Sequence, residues 1–382
     1  RLPEPGWLGS DQHIHSRISS DSRLPTLHRV VSEVCSGVAV LVFLFLHIIP
    51  GDPVDNLLGE DARPQDKQEL RQCLDLDQPL PVQFGRFVYS IFDGTLGYSC
   101  PDRKTTVASR VRKVMPATIA LAMSAMMVAL PLALLLGIGA ALRANTRWDA
   151  LLTAIALLGI SLPSMWLGPM LLYLFYVIVP ILPGPGEDTA KLRGLVLPSI
   201  MLGTHLMAML ARMTRSSMIE TLSEDYIRTA RAKGLPQWKV VYKHALRNAL
   251  LPVITVAGMQ FGALLAGAVV TEKVFARPGL GTLLLEGIAQ RDYRVVQGCT
   301  LVIAVMYVTV NLIVELEAER KVLSVLGVAE LVGLDDVAGE DLEQSATDLG
   351  AVGVDVLDLF FDDLLFVGQV LVDVAVALDI GL

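Results

Sequence analysis

The sequence predicts an all-α, polytopic membrane protein whose chain crosses the bilayer about six times. Of its 382 residues, 53% are hydrophobic and only 18% are charged, and the mean hydropathy is +0.54. An average soluble domain carries roughly 25% charged residues. Several runs of about 20 residues, the length that a membrane-crossing helix needs, are almost free of charge. The composition excludes a soluble enzyme, a disulfide-stapled secreted domain and a disordered regulator.

Six apolar stretches are long enough to cross a hydrocarbon core of about 30 Å at a helical rise of about 1.5 Å per residue. The second is an unbroken uncharged run that begins at Pro116, whereas the fourth is short and contains His205. Gly and Pro recur inside the stretches, as in many membrane helices, because small residues allow close packing. The predicted spans cover residues 30–49, 116–142, 150–178, 195–210, 253–271 and 295–314.

The distribution of Lys and Arg predicts the orientation, because cytoplasmic loops carry an excess of basic residues. Arg143 and Arg147 lie in the short loop after the second span, and eight basic residues lie in the loop 212–252 after the fourth. Both loops are predicted to be cytoplasmic, which places both termini of a six-span protein on that side. The loop 50–115 has nine basic and ten acidic residues and is predicted to be external.

The segment after the fourth span is the most informative, because its pattern predicts a helix, a tight turn and a second helix. Ser223 would cap the first helix weakly, and Glu224 and Asp225 would suit its positive end. Gly234 would end that helix in a left-handed conformation, and Pro236 suits the first turn of the next helix. From the residues alone, a solvated basic loop explains this segment equally well.

Residues 225–235 and 244–252 resemble the EAA loop of ABC importer permeases, in the form of the dipeptide, oligopeptide and nickel subfamily of the DppB/OppB type. Where the general motif has Glu-Ala-Ala, this chain has Arg228-Thr229-Ala230, which looks typical of the peptide subfamily. The resemblance covers residues 37–316, about three quarters of the chain, and the joint order and spacing of its motifs are specific. The other matching segments are 47–53, 76–83, 94–99, 116–118, 161–164, 274–281, 291–293 and 297–298.

The resemblance implies the type I ABC importer permease fold, with a transmembrane permease domain over residues 30–316. It also implies that the loop forms a coupling helix, which docks into a groove on a cytoplasmic ATP-binding subunit. A short rigid helix with a fixed turn behind it suits that role, and a side chain at Gly234 would penalise the positive φ of such a turn. The residues expected to couple the two subunits are Glu224, Asp225, Tyr226, Arg228, Thr229, Ala230, Ala232, Lys233, Gly234 and Leu235.

By this resemblance the chain is a permease subunit and not an enzyme. It would import di- or oligopeptides across the bacterial inner membrane by alternating access, with nickel chelates as the alternative substrate. The implied partners are two ATP-binding subunits, a second homologous permease, an extracytoplasmic substrate-binding protein and membrane lipid. ATP and Mg²⁺ would bind to the partner subunits and no cofactor to this chain.

The residues themselves limit the alternatives. The sequence contains no G-x-x-x-x-G-K-[ST] phosphate-binding loop, no metal-binding or catalytic constellation and no signal for nucleic acid. An ATP-independent secondary transporter would need ion-coupling carboxylates deep in the spans, and the second and fourth spans contain none. A scaffold that binds anionic lipid is disfavoured, because Ala, Leu, Gly and Pro interrupt the basic residues of 230–252. No substrate-binding residue is identified, and for His205 a hydrogen-bonded helix contact is favoured over the substrate path.

Both ends of the chain depart from the resemblance. Residues 1–29 form a divergent polar segment that begins with Arg1, which suggests a truncated or misassigned start. All 31 Lys and Arg lie before residue 322, whereas 13 of the 39 acids follow it. Residues 317–382 are therefore predicted to be either an acidic cytoplasmic tail or a segment translated out of frame. Cys73 and Cys100 share the external loop, and the sequence leaves open whether they form a disulfide.

Overall fold

A computed structural model of the chain describes residues 36–44, 54, 62–73, 75–99, 104–189, 191–290 and 292–331, with nearly all side chains up to Val314. Most of these residues are helical, and apart from one isolated bridge between Tyr98 and Thr106 none of them pairs as a strand. The predicted all-α fold is confirmed. Residues 1–29, the tail beyond residue 331 and Cys100 lie outside the described ranges, so the expectations about them stay predictions.

The helices follow one another in the predicted order. Residues 36–44 are helical within the first predicted span, and the helices Pro64–Cys73 and Leu80–Phe92 lie in the loop after it. The second-span helix is Val107–Leu142, the fourth-span helix is Arg193–Ser223 and the sixth-span helix is Tyr293–Leu331. The fifth-span helix is a continuous run of Gln237–Lys239, the π-helical Val240–Ala245 and Leu246–Gly267. The other helices are Arg147–Ser161, Ser164–Leu172 with its π-helical continuation Tyr173–Ile178, Asp225–Ala232, Val269–Val274 and Leu280–Ala289.

Four of the described helices are long and apolar enough to cross a membrane. They correspond to the predicted second, fourth, fifth and sixth spans, which confirms the polytopic membrane fold. Of the predicted first span, only residues 36–44 are described. The segments long and apolar enough to cross are Val107–Leu142, Arg193–Ser223, Gln237–Leu265 and Tyr293–Val314.

The third predicted span, 150–178, is wrong as a single helix. The chain forms Arg147–Ser161 and Ser164–Leu172, which are separated at Leu162 and Pro163. Leu162 takes an extended conformation, with φ −89° and ψ 120°. The proline ring explains the break, because it removes a backbone N–H and disfavours helical geometry in the residue before it.

The fourth helix is longer than predicted, because it continues from the apolar stretch to Ser223. Arg212 and Arg215 therefore lie on a helix and not in a loop. Hydropathy marks where a helix leaves the membrane, whereas Arg is a good helix former and does not end it. Since the fifth-span helix begins at Gln237, only residues 224–236 connect the two.

The second-span and fourth-span helices pack closely through small residues. A stripe of alanines on the second-span helix is fully buried, and Gly203 of the fourth-span helix faces it. A Cβ atom at Gly203 would lie 2.9 Å from the carbonyl oxygen of Ala125. Van der Waals contact between small side chains is the main force that joins helices in lipid. The stripe consists of Ala122, Ala125, Ala129 and Ala133.

The connections 143–146 and 224–236 lie on one side of the molecule, which we call the basic side. On the opposite side, the buried carboxylate of Glu272 joins three segments. It accepts hydrogen bonds from the Thr118 hydroxyl (2.6 Å) and the Thr282 backbone N–H (3.0 Å), and the Leu280 N–H donates to the same Thr118 hydroxyl (2.8 Å). Burial raises the pKa of Glu272, and these donors act against the rise.

A second set of polar contacts on this opposite side holds the loop after the first span. The buried carboxylate of Asp292, just before the sixth-span helix, accepts a hydrogen bond from the Ser99 hydroxyl. The carboxylate of Asp75 pairs with Arg86 and, at 2.7 Å, with Arg294. The loop is therefore fastened to the start of the sixth-span helix.

We predict that Gly203→Leu weakens the protein, because the new side chain would collide with the backbone of the second-span helix at Ala125. Overpacking of this kind costs about 1–3 kcal/mol. Met127→Leu, on the exposed face of the second-span helix, is the matched control. The measurement is the temperature at which half of the detergent-solubilised protein leaves the monodisperse gel-filtration peak. Equal temperatures for both variants would contradict the close packing.

Candidate functional site

The segment predicted as helix, turn and helix has that structure, so this prediction is confirmed. Asp225–Ala232 is a helix, which we call the loop helix, and the fifth-span helix follows at Gln237. Asp225 lies in its first turn and Arg231 in its last, where their charges suit the helix dipole. The predicted cap is wrong. Glu224 occupies the cap position, and Ser223 ends the preceding helix, where its hydroxyl donates to the carbonyl of Glu220.

The turn behind the loop helix is a Schellman motif. The Gly234 N–H donates to the carbonyl of Arg231 at 3.0 Å, and the Leu235 N–H donates to that of Ala230 at 3.4 Å. Leu235 also packs with Ala230 in one apolar cluster, which completes the motif. Gly234 has φ +73°, and no atom lies within 4 Å of where its Cβ would be. The backbone conformation, and not lack of space, therefore requires glycine here.

Two side chains fasten the loop helix to the membrane helices. Ile227 and Ala230 are 0% and 7% exposed and lie in an apolar cluster that we call the basic-side cluster. This cluster contains residues from the ends of the second-span, fourth-span and fifth-span helices, so three membrane helices hold the loop helix at once. Its other buried members are Ile138, Ala141, Met218, Val240, Val241, Ala245 and Ala249.

The ten residues predicted to couple the subunits divide into two groups. Ala230 is buried and Leu235 half-buried, and both serve the packing described above. The other eight are exposed on the surface of the loop helix and its turn, where a partner can reach them. They are Glu224, Asp225, Tyr226, Arg228, Thr229, Ala232, Lys233 and Gly234.

Local polar contacts order part of this exposed surface. Arg228 pairs with Asp225 one turn before it, at 3.0 Å. The Tyr226 hydroxyl accepts a hydrogen bond of 2.8 Å from the Asn248 amide, which joins the loop helix to the fifth-span helix. Exposed ion pairs contribute little to stability, so we attribute the fixed position of the loop helix to its buried side chains.

An ion pair that the sequence did not predict lies nearby. Asp149, just before the third predicted span, accepts two hydrogen bonds from the Arg215 guanidinium, both at 2.7 Å. The Asn145 backbone N–H donates to the same carboxylate at 2.9 Å. The hydrogen bond from Arg215 lowers the pKa of Asp149 to about 2, although burial acts in the opposite direction. The pair connects the start of the helix Arg147–Ser161 to the fourth-span helix.

Nothing in the described segments points to a resident metal. No group of three His, Cys, Asp or Glu side chains within them is placed to hold an ion. The exposed surface of the loop helix offers ion-pairing groups and an aromatic ring to a partner.

Comparison with known proteins gives two family matches that together cover most of the chain. Residues 133–318 match the sequence model described as "Binding-protein-dependent transport system inner membrane component". Residues 27–122 match the one described as "Binding-prot-dependent transport system membrane comp, N-term". The boundary between the two matched ranges lies inside the second-span helix. The loop helix lies within the range 133–318.

Curated relatives agree with these matches. The chain is 43% identical over 279 residues to "Glutathione transport system permease protein GsiC" of Salmonella paratyphi A, which covers 73% of this chain and 90% of that protein. It is 40% identical over 309 residues to "Dipeptide transport system permease protein DppB" of Alkalihalophilus pseudofirmus, covering 74% and 92%. A solved structure, "Crystal structure of an amino acid ABC transporter with histidines", is a distant neighbour. It shares 12% identity and a TM-score of 0.44 over 56% of this chain and 94% of that one.

We predict that Asp149→Asn destabilises the protein, because it leaves the half-buried Arg215 guanidinium without its counter-charge. A hydrogen bond to a charged group contributes about 1.5–3 kcal/mol, and the partial exposure of Arg215 places the expected loss at the lower end of that range. Asp188→Asn is the control, since Asp188 pairs with Lys191 in an exposed position where about 0–1 kcal/mol is expected. Thermal unfolding of both variants in detergent is the measurement. A loss at Asp149 no larger than that at Asp188 would contradict a structural role for the Asp149–Arg215 pair.

Proposed function

Because the chain belongs to the family of binding-protein-dependent transport system inner membrane components, we propose that it is the permease subunit of an ATP-driven importer of di- or oligopeptides. The names of its relatives support a peptide substrate, since one is called a dipeptide permease and the other a permease for glutathione, itself a short peptide. Neither name mentions nickel, so peptides rank ahead of nickel chelates. A transporter that works without a binding protein and ATP is disfavoured by the family itself.

We place the basic side of the molecule in the cytoplasm, with both termini there. The exposed basic residues of the connections 143–146 and 224–236 support this orientation through the positive-inside rule. The opposite side, with Asp75, Arg294 and the loop that they fasten, then faces the binding protein. An inner membrane component of this family has its substrate delivered from that side.

The main support for this proposal is that the loop helix has one exposed surface and one buried surface. Its exposed surface is free to bind a partner, whereas Ile227 and Ala230 are buried among the ends of three membrane helices. A force on the exposed surface therefore acts on those three helices through close-packed side chains, which transmit strain well. This is the property that coupling between an ATP-binding subunit and a membrane path requires.

An importer of this family needs ATP-binding subunits and a second permease in addition to this chain. The sequence has no phosphate-binding loop, so ATP and Mg²⁺ would be held by two separate ATP-binding subunits that bind the loop helix. A second homologous permease would supply the other half of the membrane path. The residues proposed to contact the ATP-binding subunit are the eight exposed ones, with Ala230 and Leu235 as positioning residues.

We predict that Gly234→Val reduces uptake of a dipeptide while the protein stays in the membrane at normal abundance. A β-branched residue at φ +73° costs about 1–3 kcal/mol, which would distort the turn. Gly234→Asn is the control, because Asn adopts left-handed geometry far more readily. Uptake, membrane abundance and co-purification of the ATP-binding subunits are measured for both variants.

The two substitutions distinguish a backbone effect from a contact effect, because Asn and Val add side chains of similar size but differ in how readily they adopt a positive φ. We expect Asn to keep most of the uptake and Val to lose most of it. Wild-type uptake by Gly234→Val at normal abundance would refute the coupling role of this turn. Failure of the wild-type chain to co-purify with any ATP-binding subunit would refute the proposed function as a whole.

A further inference from the structure

One face of the fourth-span helix is exposed along its second half. The exposed residues are spaced by three or four positions, which places all of them on a single stripe of the helix. Of the six, only Met209 is apolar. The stripe, which we call the polar stripe, consists of His205, Met209, Arg212, Ser216, Glu220 and Ser223.

The adjacent second-span helix shows what a lipid-facing surface looks like in this chain. From Pro116 to Leu142, the predicted second span, its exposed residues are all apolar, as expected for contact with acyl chains. The polar stripe has the opposite composition, although the two helices pack side by side. The exposed residues of this part of the helix are Pro116, Ile119, Ala120, Met123, Met127, Pro131, Leu132, Leu135 and Leu142.

The ion pair between Arg215 and Asp149 gives the depth of the stripe. It marks the level at which the helix Arg147–Ser161 begins on the basic side. His205 precedes Arg215 by ten residues on the fourth-span helix, which corresponds to about 15 Å along the helix axis. This is half the thickness of a hydrocarbon core of about 30 Å. His205 therefore lies near the middle of the bilayer and Arg212 just inside its cytoplasmic boundary.

Within the described residues, no hydrogen bond or ion pair is formed by the side chains of His205 and Arg212, so the helix contact favoured for His205 is absent there. An ionisable side chain at the bilayer centre is costly against lipid, and such groups almost always face a bundle interior or a water-filled cavity. The stripe also ends at Ser223, directly before the loop helix.

We propose that the polar stripe lines the cytoplasmic half of the translocation path, with Arg212 as a transient site for the carboxylate of a passing peptide. This inference rests on the proposed function. A guanidinium forms paired, charge-assisted hydrogen bonds with a carboxylate, and an exposed one near the end of the path attracts that group without burying it. Alternatively, the polar stripe contacts a second permease or lipid, and labelling experiments distinguish these cases from a water-filled path.

The first experiment measures water access at His205. His205→Cys and Met127→Cys are introduced into the full chain, and the assembled importer in inverted membrane vesicles is treated with a charged methanethiosulfonate. Labelling of the parent chain, with its four native cysteines, is subtracted. We expect His205→Cys to react at least about tenfold faster than Met127→Cys, since a charged reagent stays in water.

Assembly is checked in the same preparation by co-purified ATP-binding subunits. Normal assembly with equally slow labelling at both positions would overturn the path, because lipid or a second permease then covers the stripe. Absence of the ATP-binding subunits would instead overturn the proposed function. The two failures are therefore distinguishable.

The second experiment tests the charge preference at Arg212. Met209→Cys lies between His205 and Arg212 on the stripe, and its reaction with an anionic and a cationic methanethiosulfonate is compared after normalisation to a free thiol in solution. We expect the anionic reagent to be favoured by about tenfold, because a fixed positive charge concentrates anions near it. Adding Arg212→Gln should abolish that preference. A preference that is absent, or that survives this substitution, would overturn the role of Arg212.

Discussion

The burial of Ile227 in the basic-side cluster is the constraint on which the working of this structure depends. Together with Ala230, this fully buried side chain fixes a helix of two turns against the ends of three membrane helices. The Schellman turn at Gly234 adds a fixed exit, so that the loop helix has little freedom at its C-terminal end. Without this burial, the exposed charges of the loop would form a solvated segment that moves independently of the membrane helices.

Different interactions stabilise the two sides of the molecule. On the basic side, apolar packing holds the loop helix, and one bidentate ion pair, Asp149 with Arg215, connects the third and fourth predicted spans. On the opposite side, buried carboxylates do this work, with Glu272 and Asp292 as acceptors for groups from distant parts of the chain. Close-packed apolar contacts suit a part that passes on motion, whereas satisfied polar networks specify one arrangement.

The sequence predicted the fold class and most spans, because uncharged runs of about 20 residues are a direct consequence of bilayer thickness. It missed the break at Pro163, since hydropathy does not register a missing backbone N–H. It also placed Arg212 and Arg215 in a loop, because charge marks the membrane boundary and not the end of a helix. The Asp149–Arg215 pair joins residues far apart in the chain, and no local pattern announces it.

Within the candidate site, the turn at Gly234 was predictable from local chemistry, and the division of the ten residues into exposed and buried was not. Burial of Ala230 and Leu235 depends on the second-span and fourth-span helices, which the loop sequence does not describe. The polar stripe was missed for a similar reason. Its spacing is visible in the sequence, but only packing shows which face of the fourth-span helix is left exposed.

A site-specific photo-crosslink shows whether the loop helix contacts an ATP-binding subunit. A benzophenone amino acid replaces Thr229, on the exposed surface of the loop helix, and in a second variant replaces Tyr89, which is 71% exposed on the opposite side. Irradiation of intact cells, followed by mass spectrometry of the tagged chain, identifies what each position touches. We expect a crosslink from position 229 to an ATP-binding subunit and none to that subunit from position 89. A crosslink from position 229 to lipid alone, or to an ATP-binding subunit from both positions, would contradict this expectation.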